Sequence, residues 1–214
     1  MFKLMFIRPE LALPYDVGIV GSAPRLLGAG AGAQIDSHDA VVRFNFALTA
    51  GYEQDVGSRT TLRFVGKRPE GDSEARQKGV TTLASGDEPV LVKLKHLTAV
   101  QAMAPHRRYV VWKRWGEFRR GAQAFLAEHV DAGLAAELPN FRSGLMLSLL
   151  FLMSSDCACR IHLYGFDESS GDASAGGHYF EAHSIARIGE IHTDLEIEYE
   201  VLRRLARRSL VVIH

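Results

Sequence analysis

Residues 16–65 read DVGIVGSAPRLLGAGAGAQIDSHDAVVRFNFALTAGYEQDVGSRTTLRFV, and the fold is decided there. A short apolar run, Val17 to Val20, passes directly into Gly21-Ser22-Ala23-Pro24. That order predicts a strand followed by a strand-to-helix turn. Glycine at such a turn allows close backbone approach, and the turn aims free N–H groups at an anion. A second apolar run, Ala40 to Phe44, carries Arg43 inside it and Asn45 just after it. A guanidinium is costly to bury without a partner. Arg43 therefore reads either as a paired structural arginine at a strand end or, with Asn45, as part of a nucleotide rim. Asp36-Ser37-His38-Asp39 reads as a cap and turn. The polar string Asp55 to Thr61 leads into a third apolar run, Leu62 to Val65.

Working outward, further strands are expected at Val80–Ala84, Pro89–Leu94, Tyr109–Trp112, Ile161–Tyr164 and Leu210–Ile213. Their continuous apolar character suits a sheet covered on both faces. One or two helical turns are expected over His96–Met103. An amphipathic helix is expected over Ala122–Leu138, a buried helix over residues 143–155 and a charged-face helix over Leu195–Arg208. Ser143 is a candidate N-cap whose helix start can hold a phosphate or carboxylate. Residues 66–79 read as a polar surface loop and 167–177 as a flexible loop, with 1–214 as one domain. The architecture expected is a single α/β/α Rossmann-like domain with a mostly parallel central sheet.

Composition narrows the function classes little. The 214 residues carry 25 Lys plus Arg against 25 Asp plus Glu, so net charge points to no polyanionic partner. No apolar run reaches the roughly 18 residues of a membrane span. Cys157 and Cys159 are too close for a standard loop-closing disulfide and form no metal cluster, which predicts a reducing, cytoplasmic compartment. Residues 106–120 interleave basic and aromatic side chains. They read as a buried strand with solvated ends, as an acceptor or membrane-proximal surface, or as a nucleic-acid patch. Nothing else in the chain asks for nucleic acid.

The opening stretch closely resembles the long sialyl motif of the eukaryotic-type sialyltransferases. The matching residues are Gly21-Ser22-Ala23, Ile35-Asp36-Ser37-His38-Asp39, Val41-Val42-Arg43-Phe44-Asn45 and Gly51 to Thr61. The short motif is matched by Arg142-Ser143-Gly144 and Ile161-His162-Leu163-Tyr164-Gly165-Phe166, and the third by His178-Tyr179. Two departures stand out. Ser22 takes the place of an Asn that helps hold the donor nucleotide. The fourth motif, a His followed by Glu five residues on, has Glu196 four and Glu198 six residues after His192. The family's bridging cysteines are absent from the matching positions, which leaves Cys157 and Cys159 as plain thiols. The chain looks like a short bacterial form of the family.

The resemblance implies transfer of sialic acid from CMP-sialic acid to a glycan or lipooligosaccharide hydroxyl. His192 is then the general base and His178 stabilises the leaving phosphate. Gly21, Ser22, Asn45, Ser143, Gly144 and Tyr164 hold the nucleotide. His38 reads as structural, bonded within its own turn. No Asp-x-Asp clamp is present, and the family is metal-independent, so no metal or other cofactor is expected. Partners are a sugar-nucleotide donor and a glycan acceptor, with peripheral contact at the inner membrane face. The alternatives are a related CMP-activated nonulosonic or octulosonic acid as donor, or a nucleotide- or glycan-binding module without catalysis.

Overall fold

In the computed structural model the apolar runs pair into one seven-stranded sheet, parallel throughout. The structure describes residues 15–66, 74–138, 141, 143–154, 160–166, 179–180 and 195–214. The strands are β1 (Asp16–Val20), β2 (Ala40–Phe44), β3 (Leu62–Val65), β4 (Val90–Lys93), β5 (Tyr109–Trp112), β6 (Arg160–Tyr164) and β7 (Val212–Ile213). Their spatial order is β5-β4-β3-β2-β1-β6-β7. The chain builds outward from β1 to β5, then returns to lay β6 on the free side of β1. Strand order therefore reverses between β1 and β6.

Eight α-helices lie among the described residues. They are α1 (Gly32–Asp36), α2 (Glu53–Val56), α3 (Glu74–Ser85), α4 (Leu97–Met103), α5 (Trp115–His129), α6 (Ala132–Glu137), α7 (Ser143–Ser154) and α8 (Leu195–Arg207). Strand alternation sorts the core into two faces. Val17, Ile19, Val42, Phe44, Ile161 and Leu163 point to one face, where α5, α7 and α8 contribute Phe118, Leu126, Leu145, Leu149, Val201 and Leu205. Val20, Val41 and Tyr164 point to the other, against Ile35 of α1 and Val56 of α2. Further along that face, Val65, Val90 and Val92 meet Leu83 of α3 and Val100 of α4. This is the expected α/β/α layering. Both faces are covered, which is why the strands read as continuous apolar runs rather than alternating ones.

Two expectations need correction. Val80–Ala84 is not a strand; it is the second half of α3, which also takes in residues 74–79 of the expected loop. The β-branched run at 80–82 and the glycine before it misled the reading. A Cβ on Gly79 would lie 2.5 Å from the Phe46 carbonyl oxygen, so this glycine lets α3 press onto the backbone after β2. The single helix expected over Ala122–Leu138 is two. Asp131 breaks it: its carboxylate accepts the Leu134 N–H at 3.0 Å and caps α6. The end of α8 is also locally encoded. Ser209 adopts φ 57°, and the Leu210 N–H closes back on the Leu205 carbonyl at 3.0 Å.

In the basic stretch, Trp112 and Phe118 are buried in the core. Arg107 pairs with Glu88 at 2.8 Å, and Arg63 of β3 holds the other carboxylate oxygen at 2.8 Å. Arg63 also donates to the Asn45 and Ala47 carbonyls at 3.2 and 3.1 Å. Burial alone would raise the Glu88 pKa, but the hydrogen bonds from Arg63 and then Arg107 outweigh it and hold it below the ordinary 4.5. Two consequences can be measured by urea unfolding. Glu88→Ala leaves two enclosed guanidinium groups unpaired and should cost about 3–5 kcal/mol. In the wild type, a depressed carboxylate contributes stability above its unfolded pKa. That contribution should fall away as pH drops from about 4.5 through the lower folded value, and Glu88→Ala should lack this acid limb.

Candidate active site

All seven strands run the same way, so their C-terminal ends share one edge of the sheet. Gly21 follows β1, Asn45 follows β2, Gly66 follows β3 and Gly165 follows β6. The Gly21 N–H donates to the Tyr164 carbonyl at 2.8 Å, which locks the β1 turn to the end of β6. A Cβ on Gly21 would meet the Gly165 oxygen at 3.0 Å and the Phe166 ring at 3.1 Å. A Cβ on Gly144, the second residue of α7, would meet the same ring at 2.6 Å. The Phe166 ring thus fits between two glycines that lie far apart in sequence. The missing side chains bring the N-terminus of α7 up to the β1 turn.

A third segment arrives at the same place. The Tyr179 N–H donates to the Ser22 carbonyl at 2.9 Å, and its hydroxyl donates to the Leu48 carbonyl. The Tyr179 ring meets Tyr52 edge-on at 5.0 Å. Burial pushes the Tyr179 hydroxyl up to about 12, so it stays protonated at neutral pH. The residue that follows His178 is therefore tied to the turn that contains Ser22. The two bonds from Tyr179 to main-chain carbonyls had no sequence signal beyond the His-Tyr pair itself. His178, His192, the 167–177 loop, Cys157 and Cys159 lie outside the described residues.

Asn45 is strained in the way its position demands. It adopts φ 47°, and its side-chain oxygen accepts the Gly66 N–H at 3.0 Å, tying the turn after β2 to that after β3. Arg43 takes the structural role. It is fully buried, and its donors go to the Arg59 carbonyl at 3.0 Å, the Thr60 hydroxyl at 3.1 Å and the Val56 carbonyl at 2.7 Å. Burial pulls its pKa down to about 10, still charged at neutral pH. The polar strings around it are crosslinks too. Asp36 accepts from the Ser58 and Arg59 amides at 2.8 and 2.9 Å, and Arg59 returns donors to the Asp36 and Asp39 carbonyls, each at 2.8 Å.

Two sequence expectations are revised. The Tyr164 side chain turns away from the edge that carries the glycine turns. Strand alternation turns it onto the α1/α2 face, where its hydroxyl lies 2.8 Å from His38 Nε2; only its carbonyl serves the glycine turn. His38 is structural, but its partners are not in its own turn. They are Tyr164 and, at 3.2 Å, Asp16 of β1. Gly21, Ser22, Asn45 and Gly144 do converge on one edge. Ser143 is the first residue of α7, beside Gly144. Of the two acids following His192, Glu198 is buried on the inner side of α8 and Glu196 is exposed.

With this geometry in place, the comparisons with known proteins fall into line. Residues 18–210 match glycosyltransferase family 29 (sialyltransferase), and the chain belongs to that family. It is 48% identical over 58 residues to beta-galactoside alpha-2,6-sialyltransferase 2 of Takifugu rubripes, covering 27% of this chain and 11% of that protein. The Homo sapiens protein of the same name is 55% identical over 47 residues, covering 22% and 9%. The chain thus spans about a tenth of the length of the curated relatives it matches. A crystal structure of a mammalian sialyltransferase superposes with a TM-score of 0.61 at 22% identity, covering 98% of this chain and 72% of the other. Another, in complex with Gal-beta-1-3GalNAc-ortho-nitrophenol, gives the same TM-score with 99% and 76% covered. These two establish a shared fold.

The Phe166 contact is testable by a double-mutant cycle. Gly144→Ala should destabilise by about 1–3 kcal/mol through overpacking. In the Phe166→Ala background the same change should cost much less, a coupling read from chemical denaturation. Additive costs would mean that the ring does not occupy the space between the glycines.

Proposed function

We propose that the chain is an inverting glycosyltransferase that moves sialic acid from CMP-sialic acid to a glycan hydroxyl. The observation that carries this reading is the meeting of three motif segments at the reversal of strand order. In open parallel sheets, that is where nucleotides bind. The Gly21–Ser22 turn, the α7 N-terminus at Ser143–Gly144 and the segment at Tyr179 all reach this point. Backbone N–H groups there suit the donor phosphate, and the positive end of α7 adds to them.

The chemistry needs two groups. An acceptor hydroxyl must lose its proton as its oxygen attacks the anomeric carbon, and the cytidine monophosphate must leave with the electron pair of the broken bond. His192 takes the proton, and His178 stabilises the phosphate with the α7 amides. Inversion follows from a single displacement. We assign the fourth-motif carboxylate to Glu198 rather than Glu196, because only Glu198 turns inward. No metal is required at the donor phosphate. The acceptor is a galactose-terminated glycan or lipooligosaccharide, met at the inner membrane face. An open groove of about 470 Å³ between Leu48, Ala50 and the Gln77–Thr81 face of α3 is the candidate acceptor surface. Ser22, where the family pattern has Asn, favours the runner-up: a binding module for CMP-activated acids, or a transferase for a related nonulosonic or octulosonic acid.

Two measurements check the reading. Calorimetry should show cytidine monophosphate binding that persists in excess chelator and weakens in Gly144→Ala. Donor turnover, followed as cytidine monophosphate release over a panel of galactose- and lactose-terminated acceptors, should fall roughly 100-fold or more in His192→Ala. Nucleotide affinity and melting temperature should stay near wild type. Full activity in folded His192→Ala would remove that residue from the mechanism. Nucleotide binding with no transfer to any acceptor would favour the binding module.

A further inference from the structure

We propose that Asp16, His38 and His162 form a binding site for a divalent transition metal of the zinc type, at the end of β1 and β6 opposite the glycine turns. The inference rests on these side chains alone and is independent of the reading as a sialyl transferase. Asp16 opens β1, His162 lies in β6 opposite Gly18, and His38 reaches the same face from the turn before β2. Asp16 Oδ1 is 3.2 Å from His38 Nδ1 and 3.3 Å from His162 Nε2, and the three ligand atoms all lie within 4.8 Å of one another. A tetrahedral site with bonds of about 2.0–2.1 Å has ligand-to-ligand edges of about 3.3 Å. The two edges that Asp16 makes already have that length.

The hydrogen bonds point the same way. Asp16 Oδ1 and His38 Nδ1 are both shielded from solvent, and neither has an aligned hydrogen-bond partner among the described residues. His38 is only 4% exposed. At 3.2 Å the two atoms make a close contact without an aligned hydrogen bond, and an ion bound between them would satisfy both. The outer nitrogens are occupied. His38 Nε2 lies 2.8 Å from the Tyr164 hydroxyl, and His162 Nδ1 lies 2.9 Å from His214 Nε2. When each outer nitrogen carries the proton, the inner nitrogen presents a lone pair, which is how outer partners orient histidine ligands.

The backbone makes room for the cluster. A Cβ on Gly18 would lie 2.5 Å from His38 Cδ2, so only glycine seats this ring against β1. The Asp16 N–H donates to Asp39 Oδ2 at 3.0 Å and fixes the start of the strand. The Asp16 side chain stays one-third exposed, which leaves a coordination position open to water. Two imidazoles and one carboxylate suit Zn²⁺ or Co²⁺ and disfavour Mg²⁺, which prefers all-oxygen shells. Along β1, Asp16 lies five residue steps from Gly21, roughly 16 Å, and Gly18, which faces His38 and His162, three steps, roughly 10 Å. The metal is therefore a structural or regulatory ion, remote from the donor phosphate.

The test uses the full chain without a histidine tag, stripped with chelator and desalted. Calorimetric titration with zinc chloride should give one ion per chain. Cobalt chloride should give the intense visible bands of a four-coordinate ion, and magnesium chloride should not compete. His162→Ala and Asp16→Asn should each weaken zinc binding by roughly tenfold or more. His162→Cys should retain cobalt and add a thiolate charge-transfer band. A folded wild type that takes up no zinc at micromolar concentration would overturn the proposal and leave an Asp16–His38–Tyr164 relay of hydrogen bonds. Uptake unchanged in both His162→Ala and Asp16→Asn would overturn it too, by placing the ion elsewhere.

Discussion

The buried guanidinium of Arg43 is the constraint on which the glycine-turn end of the sheet depends. A charge in mid-sheet is costly, and each of its donors that finds a partner lowers the cost. Here Nε and Nη2 are met by two main-chain carbonyls and one hydroxyl from residues 56–60 rather than by a carboxylate, while Nη1 has no hydrogen-bond partner among the described residues. That choice forces the chain between α2 and β3 to curl over the end of β2. The curl in turn presents the Ser58 and Arg59 amides to Asp36 and lets Arg59 grip the carbonyls before β2. Removing Arg43 would free the 56–60 segment and with it the grip of Ser58 and Arg59 on Asp36 and on the carbonyls before β2. Much of the long polar motif is therefore scaffolding. It sets the height of the turns after β1 and β2.

The fold was legible because the strands are covered on both sides. Val17–Val20, Ala40–Phe44, Leu62–Val65 and Tyr109–Trp112 are unbroken apolar runs with polar turns at each end, and their reading survives almost to the residue. The failures share a cause. Gly79 read as punctuation because a sequence does not show that a helix needs it to approach Phe46. Asp131 fell inside the single helix expected over Ala122–Leu138, although it caps the helix that follows. In both cases a residue's local preference was right and its tertiary use was hidden.

The candidate site was legible in part for a different reason. Gly21, Asn45 and Gly144 stand in motifs whose glycine and asparagine have few backbone alternatives, and they do gather at one edge. The structural reading of His38 holds, but its hydrogen bond to Tyr164, 126 residues away, was hidden because motif reading treats each segment by itself. The same blindness hid the Asp16–His38–His162 grouping. Its members come from three segments and share no spacing rule. Pairing β1 with β6 brings Gly18 opposite His162, and this register creates both the histidine cluster at one end and the glycine turn at the other.

That pairing also sets an order of events during synthesis. Asp16 must wait for Arg160 before β1 has a neighbour on its second side. Until then the outward-built half, β1 to β5, has an unpaired apolar strand along its flank. Such an edge invites pairing with another chain, and contacts of this sequence separation form slowly because a long loop must first close. The nascent chain is therefore most exposed to aggregation after β5 has emerged and before β6 does. The apolar α7, which packs over that same region, lies just ahead of β6 in the sequence and arrives as the edge is sealed.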